Sequence, residues 1–76
     1  MNKSRRSKLE EAVGYLSAAR SIVESARYEE EDCLANMPDN MESGERYEKM
    51  ESAVECLDSA ADSIEEAIER IEEAKA

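Results

Sequence analysis

From residue 47 onward the apolar side chains fall at Tyr47, Met50, Val54, Leu57, Ala61, Ile64, Ile68 and Ile71, in steps that alternate three and four without a break. That spacing puts all eight on one stripe of a helix and excludes a strand, whose side chains repeat every second residue. With Tyr47 taken as heptad position a, the g positions include Ala53, Ala60, Ala67 and Ala74. A stripe of a, d and g residues is wider than a two-stranded coiled coil needs. It suits a helix that touches two neighbours in a bundle.

The first half of the chain repeats the pattern. Leu9, Leu16, Val23 and Met37 occupy a, Ala12, Ala19, Ala26 and Cys33 occupy d, Val13 and Leu34 lie at e, and Tyr15 and Ile22 lie at g. The two halves meet at Asn36-Met37-Pro38-Asp39-Asn40. Pro38 drives Met37 out of the helical region, and Asp39-Asn40 is turn chemistry. The spacing predicts one helix over about 4–36, a turn at 37–42 and a second helix over about 43–75, with Ser43 as N-cap. The expected fold is therefore all-α: a single-domain antiparallel hairpin in which facing residue numbers add to about 80, so that Leu9 meets Ile71 and Leu16 meets Ile64.

Only 76 residues are available to build a core. Below ~80 residues one core rarely supplies more than ~3–5 kcal/mol. A lone hairpin also exposes one side of so wide a stripe. Closure as a dimeric four-helix bundle, or a higher oligomer, is expected.

Charge is unevenly distributed. Residues 1–28 hold six basic and three acidic side chains, and residues 29–76 hold four basic and seventeen acidic ones, for a net charge of −10. A balance of that sign argues against direct nucleic-acid binding and against an anionic membrane surface. Antiparallel pairing is expected to set Lys3, Arg5, Arg6 and Lys8 beside Glu69, Glu72 and Glu73. At the other end Glu29, Glu30, Glu31, Asp32, Asp39, Glu42, Glu45 and Glu48 crowd one tip. Along the second helix, Glu48, Glu55, Asp62 and Glu69 at b and Glu51, Asp58, Glu65 and Glu72 at e make two acidic rows. The tip fits a solvated end or a docking surface for a basic protein patch, and the rows fit a solvated flank or carboxylates that stand in for phosphates in a partner's basic groove.

Arg20, Arg27 and Glu30 fall inside the apolar arc of the first helix. A buried unpaired charge is costly, so Arg27 and Glu30, three residues apart, are expected to pair at a seam or to line a pocket. The dipeptides Arg27-Tyr28 and Arg46-Tyr47 make Arg20, Arg27, Tyr28, Glu30, Arg46 and Tyr47 a candidate ligand pocket. A guanidinium fork with an aromatic face can clamp the phosphate and base of a nucleotide. On the opposite face of that helix, Gly14, Ser17, Ala18, Ser21 and Ser25, with Tyr28 below them, form a small, uncharged stripe. It is the expected contact between subunits.

Several chemistries find no residues here. There is no His for general-base or metal work, no Gly-rich phosphate loop, no nucleophile elbow and no Cys-x-x-Cys. No catalytic residue, metal site or cofactor is expected. No apolar run approaches a membrane span, and Met1–Lys8 has no apolar segment behind it to form a signal peptide. A cytosolic protein with Cys33 and Cys56 as free thiols is the expectation.

The string Glu30–Met50, EEDCLANMPDNMESGERYEKM, followed by Ala/Leu/Ile heptads, resembles short acidic helical-hairpin proteins of phages and prophages of gut Firmicutes. The pieces that carry the resemblance are Glu29–Asp32, Asn36-Met37-Pro38, Ser43 with Gly44, and Glu45-Arg46-Tyr47-Glu48. It implies a small phage protein in the host cytosol that binds host machinery, immune factors included, and it transfers no site residue. At the level of architecture the chain is also similar to the helical-hairpin sponges by which phages sequester nucleotide immune signals. Three functions follow as expectations. They are an oligomeric binder that modulates a host protein with a basic surface, a nucleotide sponge, and a structural assembly bundle.

Overall fold

A computed structural model describes residues 1–38, 40 and 44–76. It consists of two helices, α1 (Lys3–Ala35) and α2 (Glu45–Lys75), packed against each other as a hairpin. The molecule is a rod of 59 × 14 × 13 Å with a radius of gyration of 17.3 Å. A compact globule of this length would have a radius of about 11 Å.

The helix ends follow from local chemistry. The Oδ1 of Asn2 accepts a hydrogen bond from the Arg5 backbone N–H at 2.9 Å and caps α1. Asn36 closes its far end, donating from both its backbone N–H and its Nδ2 to the Asp32 carbonyl at 3.1 and 2.8 Å. Helix α2 begins later than the expected residue 43. Gly44, with extended backbone, stands at the N-cap and offers no side-chain cap, so the helix starts at Glu45. The expected cap Ser43 lies outside the described residues, as do Asp39 and Glu42 of the acidic tip.

Three ion pairs tie α1 to α2: Arg20 to Glu65 at 3.2 Å, Arg27 to Asp58 at 3.7 Å and Lys75 to Glu10 at 3.9 Å. As the number rises on one helix it falls equally on the other, which is the antiparallel arrangement. Each pair adds to 85, five beyond the expected facing sum, because these long side chains lie on the flank and reach diagonally along the seam.

The seam of α2 follows a, d and g: Tyr47, Met50, Val54, Leu57, Ile64, Ile68 and Ile71 are half-buried, as are Ala53, Ala60 and Ala67, and Ala61 is fully buried, while the expected Ala74, in the last turn, is exposed. Helix α1 departs from expectation. Its inner face consists of a, the d residues Ala12 and Ala19, and e, with Val13, Arg20, Arg27 and Leu34 turned inward. The g residues Tyr15 and Ile22 are about 70% exposed, and Ala26 and Cys33 at d are exposed as well. In this rotation Arg20 and Arg27 lie against the acidic e row of α2, where Glu65 and Asp58 receive them, as a guanidinium drawn from solvent requires.

Candidate binding surfaces

The eight carboxylates of the two α2 rows divide into two groups. Glu48, Glu55, Asp62 and Glu69, seven residues apart at b, are all exposed and join no ion pair among the described residues. At ~1.5 Å rise per residue they stand ~10.5 Å apart along the rod. The e row behaves differently. Asp58 and Glu65 are engaged by Arg27 and Arg20, and Glu72 lies 3.5 Å from the Lys75 Nζ. Only Glu51 of that row points outward without such a partner among the described residues. The b row is thus without ion pairs among the described residues, whereas Asp58 and Glu65 of the e row meet the arginines of α1, although Glu51, Asp58 and Glu72 remain exposed.

The expected Arg27–Glu30 pair does not form. Arg27 instead donates from Nη1 to the Glu31 carboxylate at 2.8 Å, one residue further along, where the four-residue spacing aligns the two side chains better. Arg27 is the more enclosed of the two seam arginines, with its side chain 17% exposed against 35% for Arg20. Arg20 bridges Glu24 and Glu65, each at 3.2 Å. Glu30 is half-buried on the same face and joins no ion pair among the described residues.

These contacts also bear on the candidate ligand pocket. Arg27 does lie over the Tyr28 ring, 4.4 Å from its centre. Its guanidinium is nonetheless held by carboxylates, which a phosphate would have to displace. The second dipeptide is remote: Arg46 precedes Asp58, the partner of Arg27, by twelve residues, or ~18 Å of helix. One hairpin cannot bring the two Arg-Tyr pairs to a single ligand. Three shallow depressions, at Met1/Arg5/Lys8/Leu9, at Ser21/Ile22/Ser25/Ala26/Glu29 and at Tyr28/Glu31/Asp32/Ala35, include neither Arg20, Arg27, Arg46 nor Tyr47.

The outer face of α1 is free of charge over a long stretch. Between Glu11 and Glu29 the charged side chains are Arg20, Glu24 and Arg27, all half-buried at the flank. Exposed between them are the expected contact residues Gly14, Ser17, Ala18, Ser21 and Ser25, together with Tyr15, Ile22, Ala26 and Tyr28. A Cβ added at Gly14 would meet nothing within 4 Å, so no neighbour within the hairpin requires a glycine there. Sequence spacing alone puts Tyr15 and Ile22 beside the seam, whereas the structure sets them on this outer face. The signal that could have revealed it is the arginine row at e, which competes with the g row for the inside.

At the open end the basic residues do not find the expected acids. Lys3, Arg5, Arg6 and Lys8 are all exposed and join no ion pair among the described residues. Glu72 and Glu73 are satisfied within α2 by Lys75 and Arg70, and Lys75 takes Glu10 across the hairpin. Both cysteines are exposed free thiols. Among the described residues no helix is long and apolar enough to cross a membrane. No family model, no curated protein and no solved structure matches the chain.

Proposed function

We propose that this chain is a non-enzymatic binding protein that engages a basic protein surface through the outward carboxylates of α2. The observation that carries the reading is the row Glu48, Glu55, Asp62 and Glu69, exposed along one side of a rod and without an ion-pair partner among the described residues. Such a row draws a basic partner by long-range attraction and fixes its register by spacing, raising the association rate more than the final affinity. The same field repels nucleic acid. Likeness to phage and prophage hairpins supports a host protein in the host cytosol, an immune factor among them, as the partner whose activity is modulated.

Charge reversal tests it. The triple variant Glu55→Lys/Asp62→Lys/Glu69→Lys should lose about tenfold or more in affinity for the basic host protein that the unmodified chain captures, and wild-type affinity should fall as salt rises. Undiminished binding by the variant sinks the acidic-row reading. A nucleotide sponge built on Arg20, Arg27, Tyr28, Arg46 and Tyr47 has less support, since two of its three guanidiniums are tied to carboxylates. A purely structural bundle would leave the reversed triple variant without any binding defect.

A further inference from the structure

Helix α1 carries a second seven-residue row, on the side away from α2. Lys8, Tyr15, Ile22 and Glu29 all lie at g and are all exposed. Tyr15 and Ile22 are among the most exposed large apolar side chains of the described residues, at 69% and 70%. The row begins on a cation and ends on an anion, with apolar residues between. Read backwards it becomes anion, apolar, apolar, cation, which is its own complement.

The ends of α1 make the same point. Its first turn holds no acid and its last turn no base; Lys3, Arg5 and Arg6 sit at the positive pole of the helix dipole and Asp32 at the negative one. Each such charge works against the helix that bears it. Helix α2 does not relieve the basic end with ion pairs, as described above. Beside an antiparallel helix, whose poles are reversed, such charges are favourable; α2 offers this on one side of α1, and a second antiparallel α1 would offer it on the outer side.

We infer that the outer face of α1 is a two-fold interface with a second copy of this chain, the two α1 helices running antiparallel with the axis near Ala18. In that register Lys8 faces Glu29 of the partner subunit and Arg5 faces Asp32 of the partner subunit. Tyr15 of the partner subunit falls on the depression formed by Ser21, Ile22, Ser25 and Ala26. The small residues Gly14, Ala18, Ser21 and Ser25 permit close approach. A chain of net charge −10 repels its copies over most of its surface; this face is a stretch where two copies meet without opposing like charges. A row with a seven-residue repeat drifts by ~20° per heptad, so the helices would cross with a slight left-handed wind. Each α2 then faces away from the axis, and the dimer displays two acidic rows on opposite sides.

Sedimentation equilibrium of the full chain, with circular dichroism to verify helicity, tests the interface independently of any α2 partner. The wild type should be dimeric. Ile22→Glu should raise the dimer Kd about a hundredfold, and Lys8→Glu and Glu29→Lys about tenfold each, with helicity kept. The double variant Lys8→Glu/Glu29→Lys should return to within about threefold of wild type, because an antiparallel pair restores both contacts. Thiol oxidation gives the orientation. Two Cys33 side chains would stand ~43 Å apart along the axis and should not cross-link, whereas Ala18→Cys in a Cys33→Ser/Cys56→Ser background should. A monomeric wild type, a dimer indifferent to Ile22→Glu, a double variant no better than either single one, or a Cys33–Cys33 dimer would each overturn the inference. Loss of the dimer with capture by the acidic row intact would separate this failure from one of the proposed function.

Discussion

Helix α1 opens on Lys3, Arg5 and Arg6 and closes on Asp32, whereas α2 opens on Glu45 and Glu48 and closes on Lys75. The second arrangement complements the helix dipole, and the first opposes it. The outer faces differ as sharply. That of α2 is a line of carboxylates, and that of α1 is uncharged from Gly14 to Tyr28, with Tyr15 and Ile22 standing in solvent. A helix whose charges support it and whose outer face is solvated is suited to being an end surface. A helix whose charges oppose it and whose outer face is apolar is incomplete. The contrast therefore separates a face lined with carboxylates from one lined with small and apolar side chains, the face we propose as a self-interface.

The comparison can be broken most decisively at the seam. Ala61 is the fully buried residue of the described chain, 3% exposed, and Ala61→Glu should cost ~3 kcal/mol or more and leave the hairpin largely unfolded by circular dichroism. Ala18→Glu on the outer face of α1 should keep helicity in dilute solution and show its effect only in self-association. Equal loss of helicity in both would erase the distinction between the faces.

Next come the seam arginines. Because the Arg20 and Arg27 Nε atoms are shielded without hydrogen-bond partners, Arg27→Leu, which extends the apolar e row of Val13 and Leu34, should match or exceed wild-type stability by ~1 kcal/mol. Arg27→Ala should instead lower Tm, and a drop below wild type in Arg27→Leu as large as in Arg27→Ala would show that the ion pairs hold the seam.

Reversing Lys3 and Arg5 to Glu should change two readouts in opposite directions: higher Tm at concentrations where the chain is monomeric, through the dipole, and weaker self-association. Movement of both in the same direction would contradict the reading of α1 as a helix charged for its neighbour. The smallest contrast lies at the caps. Asn2→Ala should cost ~1 kcal/mol of helix stability, and Gly44→Ser should gain only a few tenths, both measurable by urea titration.

Much of this was legible without coordinates. The alternation of three and four from Tyr47 to Ile71 leaves one face of α2 to bury, and it is the face that packs. Asn36 and Pro38 mark the end of α1 because one supplies the cap and the other cannot continue a helix. The inner face of α1 was harder to read. There, apolar residues at g and arginines at e lie on opposite sides of the same a/d stripe, and hydrophobicity alone favours g. The choice rests on the acids at Asp58 and Glu65, which are distant in sequence and adjacent only once the helices are paired. That Asp58 and Glu65 of the e row would meet arginines was hidden for the same reason.

Periodicity, turn chemistry and net charge are properties of neighbours along the chain, and they determined by themselves the two helices, their separation and the acidic sign of the molecule. Helix rotation about the seam is a property of pairs. Tertiary structure decided it: Tyr15 and Ile22 face outward, and Arg20 and Arg27 lie at the seam against Glu65 and Asp58, because pairing the helices brings together charges that are distant along the chain.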